Sequence, residues 1–310
     1  MDSTDLLILS KLSQNPLLAY RELATSLGIS VQAVHRRIQV LSKKKVLGKY
    51  HANIPLGYLR AVSVHFVGRS SGGSMDDVLK GLARSTSVRT ALIASANVLF
   101  IHAELRSIDA LDEFSEFAKR TSLIHDPRIA IDPMEDQSKG TMTPLDLRII
   151  RSMHNDARKP TVDVAEELGV SARSVRTHLD KMIADGLIEL TVEIDPTFSE
   201  DTSSILRVFL NENSDKKRIG AMLMKQHFPK VLYCQSFVNI PDFLICAAVS
   251  RTPNDLKRLQ EGIQQEQGIR SVESNIALTG RYFETWRDEL VESCEKDRAK
   301  EIAEKLARNR

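Results

Sequence analysis

Between Ser30 and His51 the chain carries six basic residues, Arg36, Arg37, Lys43, Lys44, Lys45 and Lys49, and no acid. Such a run suits the holding of a polyanion, and duplex phosphate is the commonest one. The corresponding window from Ser171 to Val192 has three basic residues, Arg173, Arg176 and Lys181, set against Asp180, Asp185 and Glu189. Other candidate groups are sparse. His65 and His102 share the parity of the less apolar face of two strands that should be neighbours, so they could meet. A metal or ligand site is one reading of that pair. Polar packing against a second sheet is the expected one, because nothing stands at hydrolase or zinc-site spacing. Cys234 and Cys246 would lie opposite each other if their hairpin pivots on Ile240, and they are expected to be inert buried thiols rather than a redox pair. No acid/base constellation appears, so no catalytic residue, metal or cofactor is expected.

The elements that must position these residues come from an internal repeat. A shift of 141 residues lays Asp5-Leu6-x-Ile8 on Asp146-Leu147-x-Ile149, and Ala24, Leu27, Gly28, Ser30 and Val34 on Ala165, Leu168, Gly169, Ser171 and Val175. Each copy reads as three short helices. The second stops at Gly28 or Gly169, where a left-handed residue ends a helix at low cost. Ser30 or Ser171 then caps a third helix whose core positions, Val34, Ile38 and Leu41 or Val175, Leu179 and Met182, are four and three apart. Helix, glycine turn and capped helix form a helix-turn-helix, and the apolar run after it suits a short strand or wing. Off the core stripe, Gln32, Ala33 and Arg36 in copy one and Arg173, Ser174 and Thr177 in copy two are the candidates for base edges. Ser30, Ser171, Arg37, Arg176 and the lysines would hold phosphates.

After each module the hydrophobic period changes to two, as in Val62, Val64 and Phe66. Strands and helices then alternate as βαββαβ, twice, which is the ferredoxin-like order. The expected fold class is α+β. Its units are a helix-turn-helix over 1–60, a ferredoxin-like domain over 61–136, a linker with the second helix-turn-helix over 137–200, a second ferredoxin-like domain over 201–282, and a charged C-terminal helix over 283–310 packed on its own domain. Met134 to Pro144 is the expected linker.

Hydrophobic residues make up 42% and charged residues 27%, which excludes a disordered chain. The longest apolar runs fall far short of a membrane span, and the acidic start, Met1-Asp2-Ser3-Thr4-Asp5, is no secretory signal. Three scattered cysteines argue against a disulfide framework, so a cytoplasmic location is expected. The net charge of +2 conceals a polarised chain. Residues 2–59 hold eight Lys/Arg and three Asp/Glu, whereas residues 143–196 hold seven and ten.

Asn155-Asp156-Ala157-Arg158, followed by Val164-Ala165-x-x-Leu168-Gly169-Val170-Ser171, Val175 and Gly186-Leu187-Ile188, resembles the start of an Lrp/AsnC (feast/famine) regulator. Copy one resembles it through Asp5, Leu23-Ala24-x-x-Leu27-Gly28-Ile29-Ser30, Val34, Arg37-Ile38 and Leu41. The resemblance implies a winged helix-turn-helix joined to a ferredoxin-like effector (RAM) domain, here duplicated in tandem. It also implies a transcriptional regulator that binds double-stranded DNA and an amino-acid-like effector, built as an intramolecular pseudo-dimer able to form a homodimer. Lys45 stands where the family has glycine, and His178 where it has the arginine matched by Arg37. The hairpins Ser95-Ala96-Asn97 and Asn239-Ile240-Pro241-Asp242 lack the family's glycine-acid pair, which argues against ordinary amino-acid sensing. Siroheme decarboxylases share the architecture, so an enzyme on this frame is one alternative and a sequence-indifferent architectural DNA-binding protein another. Because the acid-free basic segment is unneeded for decarboxylation, the chain is expected not to be an enzyme.

Overall fold

The computed structural model describes residues 1–133 and 136–308. Met134 and Glu135, at the start of the expected linker, and the last two residues of the C-terminal segment lie outside the described residues.

Copy one opens with helices α1 (Ser3–Gln14), α2 (Tyr20–Leu27) and α3 (Val31–Lys43), then strand β1 (Leu47–Asn53). Gly28 ends α2 at φ 65°, and the Ser30 hydroxyl accepts the Ala33 N–H at 3.1 Å, so the turn between the helices forms from local chemistry. Val34, Ile38 and Leu41 are buried against Ile8, Leu9, Leu12 and Leu23, with Val192 and Ile194 of copy two packed at the edge of this core. The α/β part runs β2 (Val62–Arg69), α4 (Met75–Leu82), β3 (Val88–Ala94), β4 (Val98–Leu105), α5 (Leu111–Ser122) and β5 (Arg128–Ile131). Copy two repeats this order. It has α6 (Pro144–Met153), α7 (Thr161–Leu168), α8 (Ala172–Ala184) and β6 (Glu189–Ile194), then β7 (Thr202–Leu210), α9 (Lys216–Gln226), β8 (Val231–Ser236), β9 (Phe243–Ser250), α10 (Pro253–Gln264) and β10 (Ile269–Tyr282). Two ferredoxin-like βαββαβ units, each behind a helix-turn-helix, make an α+β chain.

The copies are joined at two levels. At the heads, β1 pairs antiparallel with β6 in a ribbon of its own, with His51 opposite Thr191 and Tyr50 opposite Val192. The strand that would serve each module as a wing therefore crosses to the other module. In the body, eight strands form one sheet in the order β5-β2-β4-β3-β10-β7-β9-β8. Strand β10 outruns its counterpart β5, and past a bulge at Ala277/Thr279 its extra length pairs with β3 from Ala277–Ala94 to Tyr282–Thr90. The halves also meet face to face, burying Val67, Val98 and Ala130 against Ile205, Phe237, Phe243 and Ile245. Arg128 lies over the Phe209 and Phe243 rings at 5.1 and 4.7 Å.

The two seams are unequal. Symmetry would pair β5 with β8 as β3 pairs with β10, yet among the described residues no such ladder forms. Val238 N–H donates to Ile131 O at 2.8 Å, and the Asn239 side-chain amide bridges Ile131 N–H and Ile129 O at 2.8 and 2.9 Å. The sheet curls until its ends meet, but one backbone bond and the Asn239 side chain, not a strand ladder, close this end.

The C-terminal segment differs from the single helix expected on its own domain. It forms two helices, α11 (Trp286–Glu292) and α12 (Lys296–Arg308), and α12 packs on α6 of the second helix-turn-helix. Val291, Cys294, Ala299 and Ala303 complete a core with Leu147, Ile150 and Met153. The thin apolar stripe of this segment finds its partner in another module, which periodicity along the segment does not reveal. No helix among the described residues is long and apolar enough to cross a membrane.

Candidate nucleic-acid interface and inter-sheet cavity

In copy one, Gln32 and Arg36 are exposed on α3 and Ala33 is half-buried near its capped start. Lys43, Lys44, Lys45 and Lys49 are exposed where α3 runs into β1. Lys44 reaches Glu200 at 3.4 Å, a pair open to solvent on both sides. Lys45 sits at φ 61°, matching Gly186 at φ 63° in copy two. The glycine departure noted in the sequence is therefore a lysine held in the left-handed region, a conformation costing a non-glycine residue roughly 1 kcal/mol.

Arg37 has another role than the phosphate contact expected of it. Its Nη1 is held by Asp2 at 2.8 Å and Asp5 at 2.7 Å, which pins the start of α1 to α3. The Asp5 bond, with Asp2 adding to it against some desolvation, raises the guanidinium pKa further. His178 makes the matching contact in copy two, with Nδ1 at 2.7 Å from Asp146. The Arg-to-His departure thus keeps a contact internal to each module and bears on packing, not on phosphate.

In copy two, Arg173, Arg176 and Thr177 are exposed along α8, Ser174 is half-buried, and Ser171 caps the helix by accepting the Ser174 N–H at 3.1 Å. The ribbon adds an acid to the basic side: Glu193 lies 2.9 Å from His51 Nε2 and accepts the Lys49 N–H at 3.2 Å. The His51 contact, against a contribution from burial, holds the Glu193 carboxyl below its ordinary pKa. Arg158, from the motif that carries the family resemblance, locks the modules together. It donates to Pro16 O and Leu18 O, both at 2.8 Å, and stacks over Tyr20 and Tyr50 at 5.0 and 4.7 Å. Sequence reasoning missed this clamp, since the only local signal was an arginine beside a buried alanine.

Between the facing sheets lies a cavity of about 510 Å³. Its walls come from both halves, with Leu92, Phe100, Phe237, Ile245 and Tyr282 among them, and α1 of the first helix-turn-helix reaches it through Leu9, Ser10 and Ser13. His65 and His102 face each other across β2 and β4 with rings 4.8 Å apart, and both line this cavity. Asp132, one residue past β5, completes a group. Its Oδ2 lies 3.1 Å from His65 Nε2 and also accepts the Ser63 hydroxyl, which is 2.9 Å from His102 Nε2. Gln235 Nε2 donates to Asp132 Oδ1 at 2.8 Å from the other side of the open seam. A second cavity of about 500 Å³ adjoins, sharing His102, Asp132 and Gln235. Burial, with His65 alongside, pushes His102 down to about 3, so its imidazole is neutral near pH 7. Burial works to raise Asp132, but the bonds from His65 and Ser63 prevail and its carboxyl stays below the ordinary range. Cys234 and Cys246 are directly opposite on β8 and β9 and are joined as a disulfide, which corrects the expectation of inert thiols.

Head and body meet at a buried ionic cluster. Arg89 grips Glu104 through Nε and Nη2 at 3.2 and 3.1 Å and reaches Asp288 at 2.9 Å. Arg287 bonds Glu104 and Glu189, both at 2.6 Å, and so ties β4, β6 and α11 together. Burial acts to raise Glu104, but Arg287 and Arg89 outweigh it and the carboxyl is held low; Asp288 is lowered against burial mainly by Arg89.

These features define a class: a chain with two winged helix-turn-helix heads on one pseudo-symmetric ferredoxin-like body. The family described as winged helix-turn-helix DNA-binding matches residues 1–47 and 142–189. The two matches fall on the two copies of the repeat, so the chain holds the winged helix-turn-helix module in tandem. The HTH-type transcriptional regulator LysM of Sulfurisphaera tokodaii is 26% identical over 134 residues, covering 43% of this chain and 92% of LysM. Among solved structures, the siroheme decarboxylase NirDL is similar over 98% of this chain and 99% of its own, with TM-score 0.59 and 12% identity. It has the same likeness in its complex with an iron-uroporphyrin III analogue. That match overturns the expectation that the chain is not an enzyme, because a protein sharing this fold from end to end is one.

Proposed function

We propose that the chain is a sequence-specific transcriptional regulator working in the cytoplasm, whose two unlike heads read one asymmetric duplex site and whose inter-sheet cavity takes a small-molecule effector. One observation carries the DNA reading: a backbone-paired ribbon fixes two capped helices in one chain, and the basic residues concentrate on one of them. Copy one supplies most of the phosphate attraction, and copy two is the weaker or differently specialised reader. Gln32, Ala33 and Arg36 read one half-site, and Arg173, Ser174 and Thr177 the other. Effector control has a physical route, since α1 of the basic head lines the cavity and an occupant would press on Leu9, Ser10 and Ser13. The test is selection of bound fragments from a random duplex library, followed by a mobility-shift competition between the enriched sequence and bulk DNA. Enrichment of two unlike half-sites in fixed spacing supports the reading. Equal affinity for selected and bulk DNA would leave only an architectural coat.

A second reading has its own observation. The end-to-end fold likeness to NirDL, with two histidines and a carboxylate lining the cavity, favours an enzyme acting on a ligand held there. A polycarboxylate tetrapyrrole would need cations around it. The main cavity offers Arg281, which pairs with Asp76 at 3.2 Å, and the adjoining one offers Arg287, bound to Glu104 and Glu189. This favours a smaller or less anionic ligand. Incubation with siroheme, followed by mass analysis of the recovered tetrapyrrole, decides the point, because stepwise loss of carbon dioxide would establish the enzyme.

A further inference from the structure

We propose that His65, His102 and Asp132 bind one divalent transition-metal cation, with coordination positions left open toward the inter-sheet cavity. The proposal goes beyond the DNA reading and does not depend on it.

The three side chains each offer a ligand atom, and these atoms lie within 4.8 Å of one another. His65 Nε2 and Asp132 Oδ2 are already 3.1 Å apart. Ligands about 2.0–2.2 Å from a shared ion stand roughly 3 Å from each other, so that edge needs no change and His102 need only swing inward. The backbone holds all three in place. His65 and His102 are direct cross-strand partners, and Asp132 N–H donates to Ser63 O at 3.0 Å, which fixes the residue after β5 beside the pair.

The surroundings suit a metal centre. Gln235 takes Asp132 Oδ1 and leaves Oδ2 facing the imidazoles, as an outer partner orients a ligating carboxylate. The Ser63 hydroxyl touches both His102 Nε2 and Asp132 Oδ2, standing between two atoms that an ion would draw together. Two imidazoles and one carboxylate select zinc, iron, cobalt or nickel over magnesium or calcium. Three protein ligands leave at least one position vacant, and the cavity lies on that side. The sequence offered the two histidines as a possible metal or ligand pair but not the carboxylate, because Asp132 falls beside the expected linker, 30 residues from His102 in the chain.

The test uses the full-length protein, stripped with chelator and titrated with Co(II) in the absence of DNA. Equilibrium dialysis gives stoichiometry and affinity, and visible d–d absorption reports nitrogen and oxygen ligation. One cobalt per chain is expected. His65→Ala and Asp132→Asn should each lower affinity by at least tenfold, as should the more distant Gln235→Ala. His125→Ala, at an exposed histidine away from the cavity, should bind as the unaltered chain does. Circular dichroism identifies any variant that fails to fold, and the milder Asp132→Asn and Gln235→Ala then decide. Absence of stoichiometric binding, or unaltered affinity in folded Asp132→Asn and His65→Ala, overturns the proposal.

Discussion

Replacing Lys43, Lys44 and Lys45 together by glutamine tests the claim that copy one carries the phosphate attraction. Of the six basic residues between Ser30 and His51, Arg37 is committed to Asp2 and Asp5, which leaves five free to face DNA. Each phosphate contact contributes about 0.9 to the slope of log affinity against log salt, so three lysines should flatten it by about 2.7. If Lys44 stays with Glu200 in the complex, the change falls to about 1.8. Between 50 and 200 mM salt the larger value corresponds to a roughly 40-fold difference in how much affinity is lost. Fluorescence anisotropy with a labelled duplex at four or five salt concentrations gives both slopes. Lys45→Gly alone separates charge from backbone: it should reduce the slope by about 0.9 while relieving up to about 1 kcal/mol of left-handed strain at φ 61°. A triple variant with an unaltered slope would refute the placement of copy one on the backbone.

Arg158→Ala removes two bonds to carbonyls and two ring contacts between the heads; it should cost about 2–4 kcal/mol of stability. Denaturant unfolding reads the cost, and selection with this variant should lose its fixed half-site spacing; retained spacing would mean that the β1–β6 ribbon alone orients the heads. Glu104→Gln leaves Arg89 and Arg287 buried with weakened partners and should cost about 3–5 kcal/mol. Glu104 and Asp288 both have lowered pKa values in the folded chain, so their contribution is complete above the ordinary carboxylate range of about 4 and is lost as pH falls through the folded values. The melting temperature should therefore drop below about pH 4 in the unaltered chain and less steeply in Glu104→Gln, and parallel acid profiles would show that the cluster does not govern acid unfolding.

Local chemistry made the modules legible. Gly28 and Gly169 end helices, Ser30 and Ser171 cap the next ones, and stripes spaced four and three apart enter the core of each module. Alternation marked the strands for a similar reason, since the side-chain period shows within a few residues. Contacts spanning the repeat left no such mark. Arg158 finds Pro16 and Leu18, and Arg287 finds Glu104, only once the two copies have docked, while Asp132 meets His65 only when β5 pairs with β2 inside copy one. Arg37 lies between these cases. Its type and position suggested phosphate, whereas the acid that holds it, Asp5, was legible only as a repeat marker matched to Asp146. The C-terminal segment failed for the same reason, because its apolar stripe is complete only against α6.

Fusion of the two copies allows basic charge to concentrate in copy one of an otherwise symmetric molecule. Two identical subunits related by an exact twofold axis must show every feature twice, so their seams are equal and their heads carry equal charge. One polypeptide has no such constraint. Here the extension of β10 turns one seam into a full ladder, while β5 ends early and leaves the other to Val238 and Asn239. The early end of β5 sets Asp132 beside two histidines and opens the space that two cavities share. The same freedom lets the heads diverge in charge while the ribbon between them keeps a near-twofold register, Tyr50 with Val192 and His51 with Thr191. Geometry thus stays symmetric at the two capped helices, and composition departs from symmetry in the charge that those heads carry.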